Sequence, residues 1–170
     1  MICEFYTQVS ALDMGARTYL TNGDLKNLLF REFGLTSKQL DVDTTDQNYV
    51  MMSNRSASGF AAKLSNIVFG IIGPWRSEYR DCDKFSRLFK SLSDALHARQ
   101  WVADGATPNG GMAVGALRYF RGTTENHMVV VIVAKVMGKE EIRVRVFEPQ
   151  NGEEIFMTPE EKRTVYKIDL

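Results

Sequence analysis

The chain has 170 residues, 44% of them hydrophobic, which is enough to build a core without disulfide or metal staples. Its 21 Lys and Arg balance 21 Asp and Glu, so no global field draws in nucleic acid or an anionic membrane. The two cysteines, Cys3 and Cys82, stand far apart, which excludes a secreted disulfide scaffold and favours a reducing compartment.

Met1-Ile2-Cys3-Glu4-Phe5-Tyr6 has neither the basic nor the apolar region of a signal peptide, and the longest apolar stretch, 67–74, is too short to span a bilayer. One soluble domain over 1–170, made in a cytoplasm, is expected. It divides into an N-terminal arm over 1–21, a mainly helical half over 22–100 and a β-meander half over 112–170.

After the arm, Leu25, Leu28, Leu29 and Phe33 recur at helical spacing and Gly34 follows as a C-cap, so a helix is predicted near 24–33. Tyr49 to Met52 reads as a short extended piece or a loop anchor. Ser53-Asn54 offers a cap for a second helix carrying Phe60, Leu64, Ile67 and Val68, closed by Gly70 and Gly73-Pro74. The third helix, over 82–98, places Phe85, Leu88, Phe89, Leu92, Ala95 and Leu96 on one stripe. Residues 104–111 compose a mobile loop, suited to a lid or cleft wall. Strands are then expected at 113–120, 128–136, 142–148, 154–157 and 164–168, with turns at 137–140 and at Asn151-Gly152. Helices first and strands second imply an α+β fold, with N-terminal helices packed on a C-terminal antiparallel sheet in two layers.

Cys82 opens the third helix, at the N-terminal end of its buried stripe, with Asp81 as the N-cap. A thiol attacks as its anion, and a helix start beside an imidazolium stabilises that anion. His127 begins an apolar strand and Glu148 ends the next one. An antiparallel hairpin about 138–140 brings both to its open edge. Cys82 is therefore the candidate nucleophile, His127 the base and Glu148 the carboxylate that orients the ring. Gln150 either donates toward an oxyanion or serves the turn before Asn151-Gly152; the Cys82 backbone amide is the other oxyanion donor. Asp83 holds a neighbouring loop or binds a cation. His97 is read as a dipole-compensating residue at a helix end.

The strings Asp81-Cys82-Asp83-Lys84-Phe85, His127 at the head of an apolar strand, and Phe147-Glu148-Pro149-Gln150-Asn151-Gly152-Glu153 resemble a family of bacteriophage proteins. That family is related to the papain-like C-terminal cysteine protease domain of the Marasmius oreades agglutinin. Its members show an Asp-Cys-Asp-acidic-Phe-Ala string, a Gly-His-Ala string and a Glu-Pro-Gln-Thr-Gly-Glu string, and the likeness spans roughly residues 49–157. This chain departs from them at Lys84 and Ser86, and at Asn126 and Met128 around the histidine.

The resemblance implies a papain-like or transglutaminase-like core, a catalytic set of Cys82, His127 and Glu148, and a thiol protease-like hydrolase or acyl transferase acting on a protein or peptide amide. It also implies action in the infected cell or the virion. Calcium dependence in the agglutinin makes calcium a candidate cofactor, with Asp83 as the candidate ligand. The residues themselves show no ordered alternation of oxygen ligands, so no cofactor is expected from them. The alternative is a catalytically silent papain-like module that binds a host or virion protein, with Trp75, Tyr79, Trp101, Tyr119 and Phe120 around the cleft. Arg118, Arg121, Arg143 and Arg145 could form a basic ridge for nucleic acid, but Glu125, Glu140 and Glu141 would screen it, so nucleic acid is not an expected partner.

Overall fold

The structure is a computed structural model that describes residues 18–74, 81–103, 110–122 and 124–170. Within them the chain runs β1 (Thr18–Thr21), α1 (Asn22–Phe33), β2 (Asp41–Asp43), β3 (Asn48–Ser53), α2 (Asn54–Ile72), α3 (Cys82–Ala103), β4 (Gly111–Met112), β5 (Val114–Arg121), β6 (Glu125–Lys135), β7 (Ile142–Phe147), β8 (Glu154–Ile155), α4 (Pro159–Arg163) and β9 (Lys167–Asp169). Residues 1–17 of the expected arm over 1–21, residues 104–109 of the expected loop at 104–111, Cys3, Trp75 and Tyr79 lie outside the described residues, as does the Trp101 side chain.

Local chemistry sets the helix ends. Thr21 Oγ1 accepts the Asp24 backbone N–H, and Gly34 closes α1 in the left-handed region at φ 64°. Ser53 Oγ accepts the Ser56 N–H to start α2. The short helix α4, which hydrophobic periodicity does not reveal, rests on a capping box between Thr158 and Glu161 with Pro159 in its first turn.

The sheet is mixed rather than the expected antiparallel meander. Its order is β1-β3-β6-β5-β9-β2, with β7 on the other flank of β6, β8 beside β7 and β4 beside β3. β5, β7 and β9 pair antiparallel as local hairpins and returns, whereas β3 joins β6 in parallel through Met52 and Ser53, and β2 joins β9 in parallel. Tyr49–Ser53 is thus a buried strand and not a loop anchor. Its polar approach from Asp41 to Asn48 hides that role, because β3 acquires its neighbours only from the other half of the chain.

The two-layer expectation is also corrected. From Met128 to Ala134 every residue of β6 is buried, as in a strand covered on both faces. Val129, Val131 and Val133 point into a core with Leu25, Leu29 and Phe33 of α1. Val130, Ile132 and Ala134 face Phe60, Leu64, Phe85 and Phe89 of α2 and α3. Burying each such side chain contributes about 1.5–3 kcal/mol, so β6 anchors both cores.

The buried seam of α3 is rotated from the predicted stripe. Phe85, Ser86, Phe89, Ser93 and His97 are buried, while Leu88, Leu92 and Leu96 are only partly buried beside them. The small side chains let the helix approach β6 closely. Ser86 Oγ donates to the Met128 carbonyl at 3.0 Å, and Ser93 Oγ returns to the Lys90 carbonyl at 2.7 Å. His97 is not at a helix end, since α3 continues to Ala103. It is buried and its Nε2 lies 3.2 Å from the Gly110 carbonyl oxygen.

Candidate functional site

The site forms where β7 leaves β6. Their ladder ends at the Val130–Phe147 pair, and Pro149 has no N–H to carry it further. The flank of β6 facing away from β5 is therefore open near Met128. The start of α3 fills this gap: the Met128 N–H donates to Cys82 Sγ at 3.4 Å, and Ser86 takes the carbonyl of the same residue. Cys82 thus sits at a sheet edge, held there by the helix that packs on one face.

His127 and Glu148 come from the other face. Alternation along β6 puts His127 on the side of Val129 and Val131, and alternation along β7 puts Glu148 on the side of Val146, which is the same face. His127 Nε2 and Glu148 Oε2 are 3.0 Å apart, both largely buried. Cys82 lines the same cleft as the ring and helps to raise its pKa. Burial pulls the His127 pKa down, but the hydrogen bonds to Cys82 and Glu148 and their charges outweigh it, raising the ring to about 9. An imidazolium is therefore the resting state at neutral pH. Tyr119, opposite His127 in the ladder, packs edge-on against the ring with centroids 5.7 Å apart. Burial pushes its phenol up to about 12, so it stays neutral.

Glu148 is placed by the turn that follows. The Gly152 N–H donates to the Glu148 carbonyl at 2.7 Å, and the Glu148 N–H to the Glu153 carbonyl at 2.8 Å. Asn151 Oδ1 accepts the Glu153 N–H at 2.9 Å. Gly152 has φ 74°, and a Cβ there would lie 2.5 Å from the Ala62 Cα, so the turn rests directly on α2. One carboxylate oxygen of Glu148, Oε1, is buried with no hydrogen-bond partner among the described residues.

The other sequence candidates divide. Asp81 caps α3, its Oδ1 accepting the Lys84 N–H at 3.3 Å, and Gln150 lines the cleft. Asp83 pairs with Arg87 at 3.1 Å on the helix surface. Among the described residues no group of three or more His, Cys, Asp or Glu is arranged to hold a metal ion. Of the four arginines read as a basic ridge, Arg143 pairs with Glu141, Arg145 is held by Glu154, the Asn54 carbonyl and Ser58 while lying 5.1 Å over the Phe147 ring, and Arg121 lines the cleft. Tyr119 is buried and Phe120 stacks on Tyr166, so neither stands as a free cleft aromatic.

Sequence reading missed Ser86, the Met128 backbone and the Gly152–Ala62 contact. Only the Cys82-to-Ser86 spacing of four, two small polar residues on one helix face, could have signalled the first.

The cleft above these groups is open, about 910 Å³, and is walled by Phe69, Asp81, Arg121, Glu125, Asn126 and the 148–155 segment. Among the described residues no helix is long and apolar enough to cross a membrane.

No family model and no curated protein matches the chain. Solved structures do. One described as a PSL1a–E64 complex matches with a TM-score of 0.64, and one of Polyporus squamosus lectin bound to the human-type influenza-binding epitope Neu5Acα2-6Galβ1-4GlcNAc with 0.59. Both are 18% identical and cover 89% of this chain, which spans about half of theirs, 50% and 49%. The likeness is one of fold.

Neither solved structure is described as a papain-like enzyme or a bacteriophage protein, which corrects the expected family, the papain-like or transglutaminase-like core and the phage origin. The two functions drawn from them, a cysteine protease-like hydrolase or acyl transferase on protein amides and a silent papain-like binder, are corrected with them. The fold is instead one shared with about half of each of those two chains. Short strings around three residues constrain little of a chain path, and the order helix, strand, strand fits more than one.

Proposed function

We propose that Cys82 is a nucleophile, His127 the acid–base group that serves it and Glu148 the carboxylate that orients the ring, in a cleft that joins Cys82 to an electrophilic carbon of its ligand. The observation that carries this reading is the meeting of three groups at one sheet edge. Sulfur takes the Met128 N–H at 3.4 Å, while the neighbouring imidazole is held by Glu148 at 3.0 Å. An imidazolium and the positive end of a helix dipole each favour the thiolate form of a neighbouring cysteine. In the bond-forming step the sulfur lone pair goes to the carbon. The electrons of the breaking bond leave with the departing atom, which takes the His127 proton.

Alkylation by iodoacetamide, followed by intact mass, tests the reading. At pH 6.5 a free thiol is roughly 1% ionised, so Cys82 is expected to react at least about tenfold faster than a free cysteine peptide. His127→Ala should remove that advantage. Incubation with E64, the compound named with PSL1a, should add its mass at Cys82. A Cys82 that follows the free peptide at every pH, with or without His127, overturns the assignment.

A second reading takes the cleft as a saccharide site. It is favoured by the lectin likeness and by the polar side chains of Asn126, Gln150 and Asn151 in the wall. Calorimetric titration with Galβ1-4GlcNAc and its sialylated form tests it, and heats no greater than dilution for both end it.

A further inference from the structure

The charge of the cleft around Cys82 carries the reading above one step further, to a class of ligand. Five carboxylates line it, Asp81, Glu125, Glu148, Glu153 and Glu154, against the two cations Arg121 and His127. Some are already matched: Glu148 by His127, Glu154 by Arg145 and Asp81 by Lys84 at 3.6 Å. Among the described residues the Glu153 side chain is bonded only to the uncharged Asn151 amide, at 2.8 Å, and Glu125 is exposed on the first residue of β6. Arg121 stands opposite Glu125 in the β5–β6 ladder, so among the described residues the cleft keeps one carboxylate in excess and its residual field is negative.

A separate observation concerns shape and polarity. The Phe69 ring stands 44% exposed at the end of α2 in the same cleft, an apolar face beside carboxylates. An exposed aromatic face next to anionic oxygens suits an organic cation, which gains from both the ring quadrupole and the charges while burying its stem.

Resting on the nucleophile reading, the geometry points to a ligand that carries an amine, ammonium or guanidinium group beside the carbon that Cys82 attacks, with Glu125, Glu153 and Phe69 as its selecting residues. An anionic ligand, such as a sialylated saccharide, is disfavoured by the same field.

Charged methanethiosulfonates test this on the intact protein. Each is attacked at sulfur by the thiolate, which forms a disulfide and expels methanesulfinate, so no outside oxidant is needed. Rates for the trimethylammonioethyl and sulfonatoethyl reagents are each divided by that of the uncharged methyl reagent, with N-acetylcysteinamide as the reference thiol.

Cys82 is expected to prefer the cation over the anion by about tenfold more than the reference at low ionic strength, falling to within about threefold in 0.5 M salt. The Glu125→Gln/Glu153→Gln pair should lower the preference at low salt, and Phe69→Leu should slow the cationic reagent alone. A preference no greater than the reference, one for the anion, or one untouched by the double substitution overturns the inference. The methyl reagent separates the two levels. If Cys82 meets it no faster than the reference thiol, the nucleophile reading fails; if it reacts fast but without charge preference, only the ligand class fails.

Discussion

Replacing Glu148 by Gln keeps the size of the side chain and removes its charge, so its effect on His127 can be worked from the geometry. The ring sits 3.0 Å from Oε2, both side chains largely buried, and titrates near 9 instead of 6.5 because the bonds and charges of Cys82 and Glu148 exceed the burial penalty. A charge-assisted hydrogen bond contributes about 1.5–3 kcal/mol, and 1.36 kcal/mol moves a midpoint by about one pH unit. Loss of the Glu148 charge should bring the His127 midpoint to between roughly 7 and 8, with Cys82 still holding it above an ordinary histidine.

Folding stability should report the same change. Because the folded ring keeps its proton up to about 9 and the unfolded ring only to 6.5, the folded state binds more protons between these values. Stability from this group is complete below pH 6.5, declines as pH rises through the window and is gone above about 9, a total on the order of 3 kcal/mol. In Glu148→Gln the window narrows from its upper end and the total shrinks by about 2 kcal/mol. Ring-carbon NMR shifts of His127 across pH 5 to 10, with urea melts at the same pH values, would measure both. A wild-type midpoint near 6.5, or one that stays near 9 in the variant, refutes the reasoning.

Three further substitutions probe the supports of the site. Gly152→Ala meets a backbone atom of Ala62 at 2.5 Å and a φ of 74°, so it should cost about 1–3 kcal/mol in urea denaturation and lower the His127 midpoint by displacing Glu148. Ser86→Ala leaves the buried Met128 carbonyl without its 3.0 Å donor; about 1–3 kcal/mol of stability should go, together with part of the Cys82 alkylation rate. Arg145→Ala removes one partner of a largely buried pair with Glu154 and the links to Asn54 and Ser58, so thermal melting should show a loss of about 3–5 kcal/mol while alkylation of Cys82 persists.

Periodicity and turn chemistry exposed most of the elements. The three long helices, the two-residue signal at Asn151-Gly152 and the apolar run of β6 follow from local residue order, since caps, glycines and apolar spacing act within a few positions. The hairpin of β6 and β7 was legible for the same reason, and with it the nearness of His127 to Glu148. The parallel placement of β3 beside β6 was not, because its partners lie some 80 residues away, Met52 against Ala134. Nor was α4, whose five residues have no buried face to generate a period. The short strings around Cys82, His127 and Glu148 suggested a family that the fold comparison did not bear out, since they say nothing of how β3, β9 and α1 enclose the sheet.

By itself the sequence determined where the three long helices lie, where strands turn and which side chains carry a thiol, an imidazole and a carboxylate, because those properties live in single residues and near neighbours. Only the tertiary structure decided that α3 docks on a β6 flank left open beyond Phe147, and that a glycine turn seated on α2 holds Glu148 against His127. Only it could raise the imidazole to about 9, since that needs burial and two partners drawn from positions 45 and 21 residues away. Charge states depend on distances across the fold, and no local pattern carries those.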